Sequence, residues 1–174
     1  MTPAGPRTGK VAEALPGRFR TTTEVAWDEL DALGVLHHTR FAVHAERAFS
    51  RLLDALGYPY DPDPAVRPER HHVVAGLSLS FARPVDRPGP LLVEQRVAAL
   101  GRTSLTVDFT VTVPGTRGAV AAEGARTAVH IDRATRRPLA WGEEFRQRLR
   151  ALFAAAHTEA APWTQTSSTE TRGS

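Results

Sequence analysis

Residues 27–46 read WDELDALGVLHHTRFAVHAE, and the change of period inside this stretch decides the fold. Leading into it, Phe19, Thr21, Thr23, Val25 and Trp27 alternate with their neighbours, the period of a strand. Beyond its midpoint, Phe41, Ala45, Ala48, Phe49, Leu52 and Leu56 recur at helical spacing, with Arg40, Arg47, Arg51 and Asp54 off that stripe. The junction holds a carboxylate, Asp31, then a turn containing Gly34, then His37 and His38. The first turn of a helix has unpaired N–H groups and the positive end of the macrodipole, so a carboxylate just before it stands beside a ready-made anion site. One group attacks or activates water while the other holds a developing oxyanion. That arrangement suits acyl transfer.

Working outward, the helix is predicted over 39–57, with Gly57 as the residue past its end and Pro59 close behind. Residues 58–70 carry four prolines and read as loop. Four strands follow, at 73–81, where Val73, Ala75, Leu77, Leu79 and Phe81 alternate with Val74, Gly76, Ser78 and Ser80, and at 91–100, 103–113 and 119–131. In the third, Leu105, Val107, Phe109, Val111 and Val113 alternate with polar residues throughout. Short turns between long strands mean an antiparallel sheet with one buried face. A closing helix is predicted near 142–155, with Phe145, Leu149 and Leu152 as its apolar stripe. The class is α+β, a long central helix wrapped by about five antiparallel strands. One helix cannot cover such a sheet on both faces and along its edge, so dimerisation through a sheet edge is expected, as a homodimer or homotetramer.

The 174 residues make one domain, expected at 17–156, between tails at 1–16 and 157–174 whose Pro, Gly and small polar residues predict disorder. There is no cysteine, which excludes disulfides, thiolate metal sites and a cysteine nucleophile. No stretch approaches the ~18 consecutive apolar residues of a membrane span, and no leader is recognisable, so a cytoplasmic protein without a membrane partner is expected. The pI of 10.1 overstates the basicity, because the formal net charge is only +3 and arginine outnumbers lysine 21 to 1. The arginines are mostly scattered and no nucleic-acid motif accompanies them, so no nucleic-acid partner is expected. A mildly basic rim suits a phosphate-bearing ligand or an acidic carrier protein.

The element order, with DALGVLHH at the junction, resembles the hotdog-fold acyl thioesterases, specifically the group related to 4-hydroxybenzoyl-CoA thioesterase. Their pattern is roughly D-x-D-x-x-G-x-x-x-[HY]-x-x-[YF], with a glutamate about five residues on. Here Asp28, Asp31, Gly34, His38, Phe41 and Glu46 fill it, the acid pair being one residue wider than in the family. Downstream, LSFARPV, LVEQRVAALGRTSL and VHIDRATRRPL are also similar to that family, and the resemblance spans about residues 18–152. It implies hydrolysis of an acyl-CoA or acyl-carrier-protein thioester without a cofactor. Asp31 would act as nucleophile or general base, and the backbone amide at His38 as oxyanion donor. Phe41 stands where tyrosine is commoner, which removes a hydroxyl near the site.

Each residue has a plainer reading as well. Asp31 alone reads as an Asx-turn or capping residue; within the pattern it reads as the catalyst. Asp28 reads as a turn acid. His38 counts through its amide rather than its imidazole, and His37 packs or hydrogen-bonds. Adjacent histidines point in different directions on a helix and no carboxylate falls at i+4, so no metal site is expected. Glu46 either pairs within the structure or meets substrate. Thr103 and Ser104 stand where the family places hydroxyls near the thioester, Arg83 and Arg102 are candidates for a ligand phosphate, and His71 and His72 read as a solvated strand entrance. A dehydratase or hydratase of the same fold lacks its signature here. A non-catalytic acyl-binding module has no need of a carboxylate at Asp31.

Overall fold

Paired alternation turns into sheet where the sequence predicts it. In the computed structural model, which describes residues 16–63, 65–154 and 158–159, the chain runs β1 (Phe19–Val25), α1 (His38–Ala55), β2 (His72–Phe81), β3 (Gly89–Leu100), β4 (Ser104–Thr112), β5 (Val120–His130), α2 (Glu143–Ala154) and β6 (Thr158–Glu159). The sheet order is β2-β5-β4-β3-β1-β6, antiparallel except for the short β1–β6 pairing. This is the hotdog architecture: the 18-residue α1 lies across the inner face of the sheet. Except for Pro16 and β6, the expected tails lie outside the described residues.

Why α1 stops where it does is explicit. Gly57 takes φ +85°, the Tyr58 amide donates to the Leu53 carbonyl at 2.9 Å, and the Gly57 amide donates to that of Asp54 at 2.9 Å. That pair of bonds is a Schellman cap, and the Leu53 and Tyr58 side chains share the core beneath it.

The core falls into two parts joined by α1. Near the helix start, Phe41 and Ala45 pack with Val93, Phe109 and Ala122. Near its end, Phe49, Leu52 and Leu53 meet Phe145, Leu149 and Phe153 of α2. The buried row of α2 is thus the i, i+4, i+8 set ending in Phe153, and Leu152 sits at its margin. The outer face of the sheet is polar, carrying ion pairs of Glu94 with Arg18 and Arg20 and of Arg96 with Asp108.

Two sequence expectations are corrected. The first strand ends at Val25, not Trp27: the Glu29 carboxylate returns to the Ala26 amide at 3.0 Å, winds 27–29 into a 3-10 turn and leaves Trp27 79% exposed. In β2 the simple alternation breaks at a bulge, since Val74 pairs with Ala128 but Gly76 with Thr127. The extra residue, Ala75, shifts the phase, so the inner row reads His72, Val74, Leu77, Leu79, Phe81.

Close approach fixes one glycine. A Cβ on Gly124 of β5 would lie 2.0 Å from the Ser78 carbonyl oxygen and 2.8 Å from the Phe109 ring. Gly124→Ala is predicted to destabilise the protein by about 2–3 kcal/mol in urea unfolding, because backbone rather than a flexible side chain must yield.

Candidate active site

Between β1 and α1 the chain builds a small closed loop. Leu30 and Leu36 form an antiparallel bridge, the Asp31 amide donates to the Val35 carbonyl at 2.8 Å, and the Gly34 amide donates back to that of Asp31 at 2.9 Å. Gly34 takes φ +73°, which a side chain rarely adopts. Asp31 is half-buried, and its Oδ1 accepts from the amides of Leu33 (2.8 Å) and Val35 (3.3 Å). The Asx-turn reading is therefore correct for Oδ1. Oδ2 has no partner among the described residues.

The loop is tied at its far end. The Leu36 amide donates to the Val85 carbonyl at 2.8 Å, and that of His37 to the Glu29 carbonyl at 3.0 Å. His37 then caps α1: its Nδ1 accepts from the Thr39 amide at 3.3 Å and lies 2.8 Å from the Thr39 hydroxyl, while its carbonyl accepts from the Arg40 amide at 2.8 Å. The His38 amide is left in the first turn without an acceptor among the described residues. Its imidazole is exposed, beside that of His37 (centroids 4.3 Å apart) and edge-on to Phe81 (6.5 Å). Phe41 is buried and packs on Phe81 at 5.4 Å.

Beneath this loop lies a polar network that sequence reading missed. Glu29 is 4% exposed; its Oε1 accepts from Arg47 at 3.1 Å, and its Oε2 accepts from the Ala26 amide and lies 3.2 Å from His44 Nε2, off hydrogen-bond alignment. Nδ1 of the fully buried His44 meets the Thr23 hydroxyl at 2.9 Å. Burial opposes ionisation of Glu29, but the Ala26 amide, His44 and Arg47 outweigh it and hold the carboxyl below its usual range. Burial pushes His44 below its ordinary value, against the pull of Glu29. The inward acid two residues before Asp31 is thus Glu29, whereas Asp28 is exposed in the 3-10 turn. The signal available was His44 itself, at i+3 from Phe41 on the buried side of the helix.

The remaining candidates divide by position. Arg83 is exposed just after β2, at the same end of the sheet as Asp31, its amide bonded to the Ala121 carbonyl at 3.1 Å. Arg102, Thr103 and Ser104 form the β3–β4 turn at the opposite end, where the carbonyls of Arg102 and Thr103 accept from the amides of Trp141 and His130. Within one chain they do not meet Asp31. Glu46 lies between the two ends, its carboxylate half-exposed and gripped by Arg126 of β5, Nε to Oε2 at 2.8 Å and Nη2 to Oε1 at 3.0 Å. Arg126 is 3% exposed, sits 4.0 Å over the Phe49 ring, and donates to His72 Nε2 at 3.1 Å. His72 is therefore packed against Phe49 rather than solvated. Among the described residues no three His, Asp or Glu side chains gather as metal ligands, and no helix is long and apolar enough to cross a membrane.

The loop carrying Asp31 and the open amide at the start of α1 thus lie together at one end of a hotdog sheet. Residues 25–149 match the family model of the Thioesterase-like superfamily, and the chain belongs to that family. Among solved structures it is similar to a 1,4-dihydroxy-2-naphthoyl-CoA thioesterase from Synechocystis (15% identity, TM-score 0.67, covering 76% of this chain and 96% of that one). It is also similar to a Thermus thermophilus thioesterase complexed with coenzyme A and zinc (30% identity, TM-score 0.61, 78% and 98%). A third is a DHNA-CoA thioesterase from Staphylococcus aureus (20% identity, TM-score 0.64, 77% and 93%). A search of curated protein sequences gave no match.

Burial, and then the Arg126 guanidinium, push the His72 pKa from 6.5 to about 4. The unfolded chain takes up this proton near the ordinary value and the folded chain resists it, so stability present above that value is lost as pH falls toward 4. Urea unfolding is predicted to show a loss on the order of 2 kcal/mol between pH 7 and 4.5. His72→Gln is expected to flatten that part of the slope.

Proposed function

We propose that the protein hydrolyses acyl thioesters of coenzyme A or of a carrier protein, with Asp31 as the reacting carboxylate and the His38 amide as oxyanion donor. The observation that carries this reading is the division of labour at Asp31: Oδ1 is fixed by two amides, while Oδ2 is left for chemistry at the mouth of α1. Attack by Oδ2 on the thioester carbonyl expels the thiolate and gives a mixed anhydride that water opens; acting as base, the same oxygen takes a proton from the attacking water. Both routes consume one water and yield a free acid and a thiol. In both, negative charge builds on the carbonyl oxygen, where a preorganised amide at a helix start is worth about 2.7–4 kcal/mol. The Thermus thermophilus structure holding coenzyme A supports a pantetheine-bearing substrate. Exposed Arg83 near the loop then becomes a candidate for its phosphates, and Phe41 for a wall of the acyl pocket.

The reading includes a dimer. β2 is ten residues long, pairs among the described residues on one side only, with β5, and exposes Val73, Val74, Leu77 and Phe81 by about half (46–52%). An unprotected apolar edge of that length invites a second copy. Antiparallel pairing of β2 with itself would bring the end carrying His72 and the Arg102–Ser104 turn in one copy alongside the Asp31 end of the other. Thr103 and Ser104 would then serve the neighbouring site.

Asp31→Asn is predicted to keep the fold and lower kcat at least about a hundredfold, or 2.7 kcal/mol. Asp28→Asn should change it little. His38→Ala should stay within about tenfold, because the amide survives the substitution; a loss of at least about a hundredfold would promote the imidazole instead. A thiol-release assay on several acyl-CoAs measures all three. Sedimentation at micromolar protein is predicted to show a dimer or larger, and a fully active monomer would refute the shared interface.

A further inference from the structure

One flank of α1 carries His38, Ala42 and Glu46 at i, i+4 and i+8, a single row along the helix. Facing it are the inner residues of β2, Phe81, Leu79 and Leu77, paired in register with Ala122, Gly124 and Arg126 of β5. The row and the strands meet at both ends. At one, Phe81 touches His38 and Phe41. At the other, Arg126 grips Glu46. Between these contacts the helix offers only Ala42 and the floor includes Gly124, while Phe81 and Leu77 remain 52% and 46% exposed. The result is an apolar trough that starts at the proposed oxyanion amide and stops at an ion pair.

Its length follows from two independent rules. Eight helical residues, from His38 to Glu46, advance about 12 Å. Four residues of antiparallel strand, from Phe81 to Leu77, advance about 14 Å. An extended chain advances about 1.2 Å per bond, so roughly ten bonds fit.

We infer that this trough receives the acyl group and that the Glu46–Arg126 pair is its end wall, restricting the enzyme to aryl and short-to-medium acyl thioesters of up to about ten carbons. The inference rests on the hydrolase reading for the position of the thioester carbonyl. The wall is firm, because Arg126 is held at once by Glu46, His72 and the face of Phe49, and displacing it would leave a buried charge unpaired. It is also polar. The Glu46 carboxylate is half-exposed where it meets Arg126, so an alkyl end pressed against it gains no hydrogen bond and strips water from a charge.

The test is a ladder of acyl-CoAs from butanoyl to hexadecanoyl, read as thiol release by the wild-type protein and as calorimetric binding to Asp31→Asn. Both are expected to rise to octanoyl or decanoyl and to fall at least about tenfold by tetradecanoyl. Arg126→Ala should carry the limit past tetradecanoyl. Ala42→Leu, which leaves the ion pair intact and adds bulk to a partly exposed helix position, should pull it down toward hexanoyl. Release and binding that stay level to hexadecanoyl overturn the wall, as does an Ala42→Leu protein with an unshifted limit. Binding with the expected cut-off but no thiol release upholds the wall and overturns the hydrolase reading instead.

Discussion

A single helix has to cover a sheet six strands wide, and the rest of the molecule follows from where that coverage runs out. With its row of Phe41, Ala45, Ala48 and Leu52 buried, α1 sits over β1, β3 and β4 and reaches β5 only along its flank. α2 closes the sheet near the end of α1, where Phe145 and Phe153 pack. What stays open is the strip above β2, beside the start of the helix. Apolar area of this kind costs about 25 cal/mol per Å² while it faces water, so the fold carries a standing preference for something to lie there. In the readings proposed above, substrate and a second copy of the chain meet that preference from different directions, one along the trough and one across the edge.

Two carboxylate–cation arrangements, one around a buried carboxylate and one around a buried guanidinium, mark the limits of the open strip. Glu29, with Arg47, His44 and Thr23, lies under the loop that begins the helix; Glu46, with Arg126 and His72, lies two turns further on. Ion pairs taken from water seldom stabilise a fold more than apolar side chains of the same size would. Their value here is geometric. Glu29 fastens the backbone on both sides of the bend through the Ala26 amide and its own carbonyl, so the loop has little freedom to slide relative to α1. In the mechanism proposed above, a carboxylate and an amide that address one carbonyl group need that fixity, since small displacements cost large factors in rate.

Much of this was legible from residue spacing. The alternation of Leu105, Val107, Phe109 and Val111 and the stripe from Phe41 to Leu52 gave the elements, because burial on one face imposes the period directly. Gly57 announced the helix end, because a positive φ selects for glycine. The failures share a cause. Trp27 was read onto β1 because alternation cannot foresee a side chain, Glu29, folding back onto a backbone amide. The phase of β2 was misread because a bulge leaves no compositional mark when Val74, Ala75 and Gly76 are all small or apolar. Arg126 passed as one of many arginines, although its neighbours on the same strand face, Ala128 and Ala122, are buried alanines. In the site, the tie of Asp31 Oδ1 to its own turn was foreseen as an alternative to catalysis. The structure makes the two readings compatible, since they use different oxygens.

The bulge at Ala75 has a consequence of its own for how such a protein diversifies. Because strand side chains alternate, the bulge takes up one extra residue and keeps Leu77, Leu79 and Phe81, rather than Ser78 and Ser80, in phase with the inward His72 and Val74. Deleting Ala75 would leave that phase unchanged in a regular strand, but one further residue inserted there without a second bulge would turn Ser78 and Ser80 inward and exchange an oily lining for hydroxyls. A single-codon gain can therefore rewrite the solvent character of the groove in one event, where point substitutions would need three. Lineages carrying this fold have a short mutational route between unlike ligands, and that route runs through the backbone.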